Sequence, residues 1–485
     1  MDLNSLSIPA AAPRNWSPYQ LAIFNAVETD DKNLIIEAVA GSGKTSTILE
    51  CMNRASGSAL FLAFNKAIAD DLRSKVRGAE VRTLNALGHS IVTKRLPGIK
   101  LESWKTANKV RSMLSTEDYA EFGAQVNRLV SLAKGCAFGI LNDASRPLFA
   151  ALADEFELDI PFEKIGKATQ AAMLAFQSLI DDFTSFDFDD QLFLPIYHDW
   201  GFPTFDVVFV DEAQDLNAIQ HLMLDKLRSR GARIIAVGDT RQAIYGFRGA
   251  MASSMSTLRE HFNMHELPLS ITYRCDRAIV DLAQSIVPHI RARDNAGQGE
   301  VIYVDELNIN NVSDDTLVVC RNNAPIFSLA MAALRDRRPV RVLSNFTEQL
   351  KGFVKSFKTR DLKILEERLV KWYEVERHLA EQAEFYGRMA FLADKYESVL
   401  SLIKESSTVD DVLNALEKFG NSKVGPTLCT IHKAKGLEAE RTIILHREKL
   451  PSRFAISEAA LAQEDNLLYV AITRAKHHLT VHQGI

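Results

Sequence analysis

Residues 38–45 read A-V-A-G-S-G-K-T and lie between a short apolar run at 34–36 and a helical stretch opening at Ser46. These residue types at this spacing suit the cradling of phosphates. Gly41 and Gly43 allow the backbone to turn N–H groups inward, and the start of the following helix adds favourable partial charge. Ala40, Gly41, Ser42, Gly43 and Ser46 would line the phosphates of ATP. Lys44 would reach the β- and γ-phosphates, and the Thr45 hydroxyl would ligate Mg²⁺. Ala38 stands where the general pattern has glycine, but the essential turns fall at Gly41 and Gly43. A second feature is the run V-V-F-V at 207–210, which ends in Asp211 and Glu212. Ligands of open α/β sheets bind beyond the carboxyl ends of the strands. Asp211 is suited to hold Mg²⁺, and Glu212 to orient and deprotonate an attacking water. Acids often do no more than solvate a strand end; beside a phosphate loop this pair reads as hydrolytic machinery.

Elements must hold these groups in register. Short β-branched runs at 33–36, 59–63, 207–210 and 233–237 predict one buried parallel sheet. Runs at 300–304, 316–320, 339–343 and 441–445 predict a second. The class is therefore α/β, with two parallel-sheet cores. Helix-period apolar residues between the runs predict a mainly helical insertion in each core. Met173, Phe176, Ile180 and Phe183 mark one insertion, and Leu362, Leu365, Leu369 and Trp372 the other. The expected divisions are 1–95 with 196–258 for the first core and 96–195 for its insertion. The second core takes 259–345 with 423–485, and its short insertion 346–422.

At 485 residues the chain is too long for one core, and its 47% apolar and 25% charged composition is that of a globular protein. No apolar run reaches the roughly 18 residues needed to span a bilayer. The first fifteen residues lack the basic and apolar regions of a signal peptide. Five scattered cysteines argue for a reducing, intracellular and cytoplasmic setting and against a zinc cluster. A net charge of −5 does not advertise nucleic-acid binding, although it leaves room for a local basic groove.

Five further segments carry a family resemblance. Residues 17–20 read S-P-Y-Q, and 211–215 D-E-A-Q-D. Residues 242–250 read Q-A-I-Y-G-F-R-G-A, 430–438 T-I-H-K-A-K-G-L-E, and 468–475 L-Y-V-A-I-T-R-A. With T-Y-R at 272–274, the stretch from Trp16 to Leu479 resembles a superfamily 1 DNA helicase of the UvrD/Rep type. The likeness is nearest to the helicase part of F-box DNA helicases, for F-N-K at 64–66 and D-N-L-L-Y at 465–469. The resemblance implies two RecA-like P-loop NTPase domains with ATP between them. It implies that Gln20 reads adenine, Gln242 and Arg274 sense the γ-phosphate, Glu438 meets the ribose, and Arg474 is the arginine finger. Single-stranded DNA would meet Thr83, Phe247, Thr430 and His432. Phe64 is also carried as a DNA contact, although the alignment sets it one place off the family's usual aromatic. Ser17 and Pro18 also read as a helix start, which the fold needs in any case.

The implied activity is ATP-driven, 3′→5′ translocation on single strands with unwinding at junctions between single- and double-stranded DNA. An alternative is a translocase that strips proteins without unwinding, and a remote one a non-catalytic scaffold. The ten residues beyond Ala475 predict no fused nuclease. A nucleoid association would follow in a bacterium.

Overall fold

Uncharged runs of β-branched and aromatic residues become strands buried on both faces when helices cover the two sides of a parallel sheet. The computed structural model, which describes residues 15–73, 76, 78–244, 253–344 and 346–484, contains two such sheets. The first is built from β1 (Leu34–Ala38), β2 (Ala59–Leu62), β3 (Ala79–Arg82), β4 (Val207–Val210), β5 (Arg233–Gly238) and β6 (His265–Leu269). All its pairings are parallel, in the order β3-β2-β4-β5-β1-β6. The second comprises β7 (Glu300–Val304), β8 (Thr316–Cys320), β9 (Arg341–Leu343), β10 (Thr427–Thr430), β11 (Ala439–Leu445) and β12 (Ala475–His482). Its order is β7-β12-β11-β8-β10-β9, again parallel throughout.

One expected division is corrected. β6 was expected in the second core, yet it pairs with β1 along five residues at the edge of the first sheet. Its sequence H-E-L-P-L, with three exposed positions and a proline, is that of an edge strand, so the apolar signal of a core strand is missing. The change of sheet therefore comes after Leu269 and not at 258.

Alternate residues of each strand feed opposite faces. Leu34, Ile36, Phe61, Phe209 and Val237 pack on one side of the first sheet. Ile35, Leu60, Val208, Val210 and Ala236 pack on the other, in a core continuous with Phe122, Val126, Phe176 and Phe193 of the first insertion. The second insertion likewise shares a core with its sheet, through Leu365, Leu369, Val399 and Leu402 against Val318 and Leu428. Leu362 and Trp372 flank that core as their spacing predicts. Phe183 departs from its stripe: its helix ends at Leu179, and the ring is 40% exposed beside His198. No helix among the described residues is long and apolar enough to cross a membrane.

Candidate active site

The phosphate loop leaves β1 and enters the helix Lys44–Arg54 through Gly43, whose φ of 80° is left-handed. Gly41 has φ 71°, and a Cβ there would come within 2.5 Å of the Arg274 Cβ and 2.8 Å of the Thr272 hydroxyl. Glycine is thus required at 41 both for the turn and for the approach of the second core. That approach is hydrogen-bonded: Tyr273 N–H donates to the Gly41 carbonyl at 2.9 Å. Ala40 N–H donates to the Tyr469 hydroxyl, also at 2.9 Å. Val39 and Ala40 lie in an apolar cluster with Ile444, Tyr469 and Leu479 of the second core. The Ser42 hydroxyl is buried without a hydrogen-bond partner, a donor that an oxyanion would satisfy. Thr45 is exposed and Ser46 half-buried at the start of the helix.

Asp211 and Glu212 follow β4 directly, facing the loop. Glu212 is left-handed (φ 50°), its N–H donates to Asp211 Oδ1 at 2.9 Å, and its Oε2 stands 3.4 Å from Lys44 Nζ. Burial, reinforced by the charge of Glu212, raises the Asp211 carboxyl. Burial also opposes ionisation of Glu212, but the Lys44 charge, the Gln214 hydrogen bond and the Lys435 charge together outweigh it and keep Glu212 below the usual carboxylate range. The two acids are thereby separated in proton affinity, with Glu212 held ionised.

A chain of side chains runs on from Glu212. Gln214 Nε2 donates to Glu212 Oε2 at 2.5 Å, and Asp239 N–H donates to Gln214 Oε1 at 3.1 Å. Gln242 Nε2 donates to Asp239 Oδ2 at 2.6 Å. Lys435 of the second core donates to the Gln242 carbonyl at 2.6 Å and to both oxygens of Asp215 at 2.7 Å. Burial lifts Asp215 to about 6 despite that partner, and burial also depresses Lys435. Asn466 completes the crossing, donating to the Thr240 and Ala243 carbonyls at 3.4 and 3.3 Å.

At the far side of the loop, Gln20 is held in a capping box with Ser17 and donates through Nε2 to Thr47 Oγ1 at 3.0 Å. The helix start read from Ser17 and Pro18 thus also engages the buried Gln20 amide, and the Tyr273 hydroxyl donates to its Oε1 at 3.4 Å. Arg274 donates to Glu438 at 2.8 Å and to the Thr473 carbonyl at 3.2 Å. Arg474 is 1% exposed, and its donors meet the Val470 and Leu437 carbonyls and the Thr473 hydroxyl, all within its own core. Burial and the nearby Arg274 charge bring it down to about 10. The structure therefore places Arg274 and Glu438 together beside the loop, and holds Arg474 behind them.

The nucleic-acid candidates are spread across both cores. Phe64 follows β2 and is 48% exposed. Thr83 follows β3 and caps the helix Leu84–Arg95, accepting from Ala86 N–H at 3.1 Å. Thr430 ends β10 with no side-chain cap bond, two residues before half-buried His432. Phe247 lies outside the described residues.

The family model for the UvrD/REP helicase N-terminal domain matches residues 20–263, and that for the UvrD-like helicase C-terminal domain matches 330–483. The chain belongs to the UvrD/Rep helicase family. It is 24% identical to F-box DNA helicase protein 1 of Schizosaccharomyces pombe, over 93% of this chain and 56% of that protein. Identity to the ATP-dependent DNA helicase PcrA of Leuconostoc citreum is 26%, over 55% of this chain and 39% of the relative. A probable DNA helicase of Mycoplasma pneumoniae is 23% identical over 94% of this chain and 81% of its own length. The chain spans about half the length of the first two of these relatives.

Within the UvrD/Rep frame, four contributors were not singled out from sequence. Tyr273 presents a 38% exposed ring beside Gln20. Tyr469 and Lys435 stand inside family motifs, but their partners Ala40 and Asp215 are 429 and 220 residues away. Phe188 is 54% exposed, and its carbonyl accepts from Asn85 Nδ2 at 2.8 Å, two residues beyond Thr83. An aromatic set between Asp187 and the pair Asp189–Asp190 was the available signal for Phe188.

Proposed function

We propose that this chain is an ATP-dependent DNA helicase moving 3′→5′ along single-stranded DNA and opening duplex at junctions. The observation carrying this reading is the cross-cleft path from Glu212 through Gln214, Asp239 and Gln242 to Lys435, because it joins the hydrolytic acid to the segment bearing Thr430 and His432. A change at the γ-phosphate is felt at Glu212 and Gln242, and through Lys435 at the DNA-facing turn. ATP seats its phosphates on the loop from Ala40 to Ser46, with Lys44 as counter-charge and Gln20 and Tyr273 at the base. Glu212, kept ionised by Lys44, takes a proton from the water whose oxygen attacks the γ-phosphorus, and the bond to ADP breaks. Arg274 swings from Glu438 toward the phosphate, and Arg474 supports it through Thr473. Charge stabilisation therefore depends on a closed cleft, and product release reopens it.

Mg²⁺ fits the donors present: hard oxygen from the Thr45 hydroxyl and from Asp211, whose carboxyl is raised by burial and the Glu212 charge despite Lys44. When bound, the ion supplies charge neutralisation between the phosphates. Bases would stack on Phe64, Phe188 and Phe247, which accept any sequence because every base has a π-face. Five free cysteines suit a reducing, intracellular compartment.

The test uses two partial duplexes that differ only in carrying a 3′ or a 5′ single-stranded tail. Unwinding of the 3′-tailed substrate supports the proposal. Preference for the 5′ tail overturns the polarity, and ATP-driven protein displacement without unwinding of either establishes a strand-clearing translocase.

A further inference from the structure

We propose that Glu37 is a positioning residue for ATP hydrolysis, clamping the turn that carries Gln242 to the strand that feeds the phosphate loop. The inference rests on the helicase reading above, since it takes Gln242 as the group that senses the γ-phosphate. β1 reads L-I-I-E-A, and Leu34, Ile35, Ile36 and Ala38 are all buried. A parallel strand covered on both faces calls for an apolar residue at its fourth position as well, and a carboxylate there costs desolvation. Burial accordingly pushes the Glu37 carboxyl up to about 7, with the charges of Asp239 and Glu266 adding to the rise and two hydrogen bonds from Thr240 opposing it. The strand is better served by leucine at this position; it is the turn after β5 that uses the acid.

Glu37 pairs in register with Gly238, two residues before the short turn Thr240–Gln242. One of its carboxylate oxygens accepts from Thr240 N–H at 2.9 Å and the other from the Thr240 hydroxyl at 2.8 Å. The carbonyls of the turn face the other way. Asn466 donates to those of Thr240 and Ala243, and Lys435 to that of Gln242, all from the second core. Asp239 accepts from Arg241 N–H and from Gln242 Nε2, which stiffens the turn from within. Among the described residues, Glu37 is thus the side chain whose hydrogen bonds tie Thr240 to the rest of its own core. When the cleft opens, Lys435 and Asn466 withdraw with the second core, and Glu37 keeps Gln242 with the loop that β1 feeds. The clamp survives protonation. A neutral carboxyl still accepts the N–H on its carbonyl oxygen and donates its proton to the Thr240 hydroxyl, which can act either way. A glutamine does the same with its amide, whereas a leucine suits the strand and offers neither bond.

The test compares Glu37→Leu, Glu37→Gln, Gln242→Ala and the double variant E37L/Q242A. It reads ATP turnover with saturating single-stranded DNA, equilibrium binding of ADP, and hydrogen exchange over residues 239–244. Glu37→Leu is expected to lower turnover about 10- to 100-fold, with the ATP Michaelis constant and ADP affinity held within about threefold. It should also speed exchange at the Thr240 amide, and Glu37→Gln should restore both turnover and protection. E37L/Q242A should be no slower than Gln242→Ala alone, because the two changes remove one function. Additive losses in the double variant overturn the proposal, as does near wild-type turnover in Glu37→Leu or an equal loss of ADP affinity. Gln242→Ala turning over at the wild-type rate would remove Gln242 from the γ-phosphate, and the positioning role would fall with it. A wild type without ATP turnover would sink the helicase reading instead. Exchange then decides the clamp: faster in Glu37→Leu and restored in Glu37→Gln upholds it, and no difference overturns it.

Discussion

Tyr469→Phe removes one oxygen and leaves the buried ring in place. The hydroxyl lost is the partner of Ala40 N–H, at a residue fully enclosed between the two cores. A buried N–H without a partner costs about 1–3 kcal/mol. The bond crosses the cleft, so the cost falls on closure and not on the folding of either core. Tyr469 also carries, through its carbonyl, the Thr473 hydroxyl at 2.8 Å, and Thr473 meets both Arg274 and Arg474. At about 1.4 kcal/mol per factor of ten, the closed population and DNA-stimulated turnover should fall roughly 5- to 100-fold. The assay is steady-state ATPase with saturating single-stranded DNA, together with the melting temperature. The ATP Michaelis constant should move far less than turnover, because the phosphate-binding half of the loop, Gly43 to Thr45, is untouched. Turnover within twofold of wild type, or a fall explained by lost stability, would refute the reasoning.

Glu212→Gln should bind ATP with affinity near wild type and hydrolyse it at least 100-fold more slowly; comparable loss of nucleotide affinity in equilibrium binding would contradict its role as water-activating base. Arg274→Ala should reduce turnover about 10³-fold by the scale of arginine fingers, with little change in melting temperature, since among the described residues the Arg274 side chain is bonded only to Glu438 and one carbonyl. Arg474→Lys should reduce turnover and also lower the melting temperature, because three buried hydrogen bonds depend on the guanidinium; a slow enzyme of unchanged stability would place Arg474 at the phosphate directly. Phe64→Ala and Phe188→Ala should each cost about 1–3 kcal/mol in single-strand binding by titration, and unchanged affinity in a folded variant would remove that ring from the track.

The placement of the candidate phosphate-loop and acid residues was legible because the chemistry expected of them dictates local backbone. Gly41, Gly43 and Lys44 must occur between a strand and a helix, and Asp211 and Glu212 must end a buried strand, so a few adjacent residues disclose each. The parallel cores were legible for the same reason, from uncharged runs such as V-V-F-V. What escaped was long-range or weakly patterned. β6 carries a histidine, a glutamate and a proline, and β12 reads A-K-H-H-L-T-V-H, so neither advertises a buried strand. The pairing of Tyr469 with Ala40 and of Lys435 with Asp215 depends on how two sheets meet, which no local spacing encodes. Arg474 shows a duty that its motif does not announce: the side chain bonds the Val470 and Leu437 carbonyls and the Thr473 hydroxyl, holding its own core together.

The claim that hydrolysis is coupled to DNA is tested most directly by ATP turnover with and without single-stranded DNA, in wild type and in Lys44→Ala. Strong stimulation by DNA is expected in the wild type, and no turnover in the variant, which should still bind the strand. Turnover indifferent to DNA in the wild type, or DNA-stimulated turnover persisting in Lys44→Ala, would contradict that coupling.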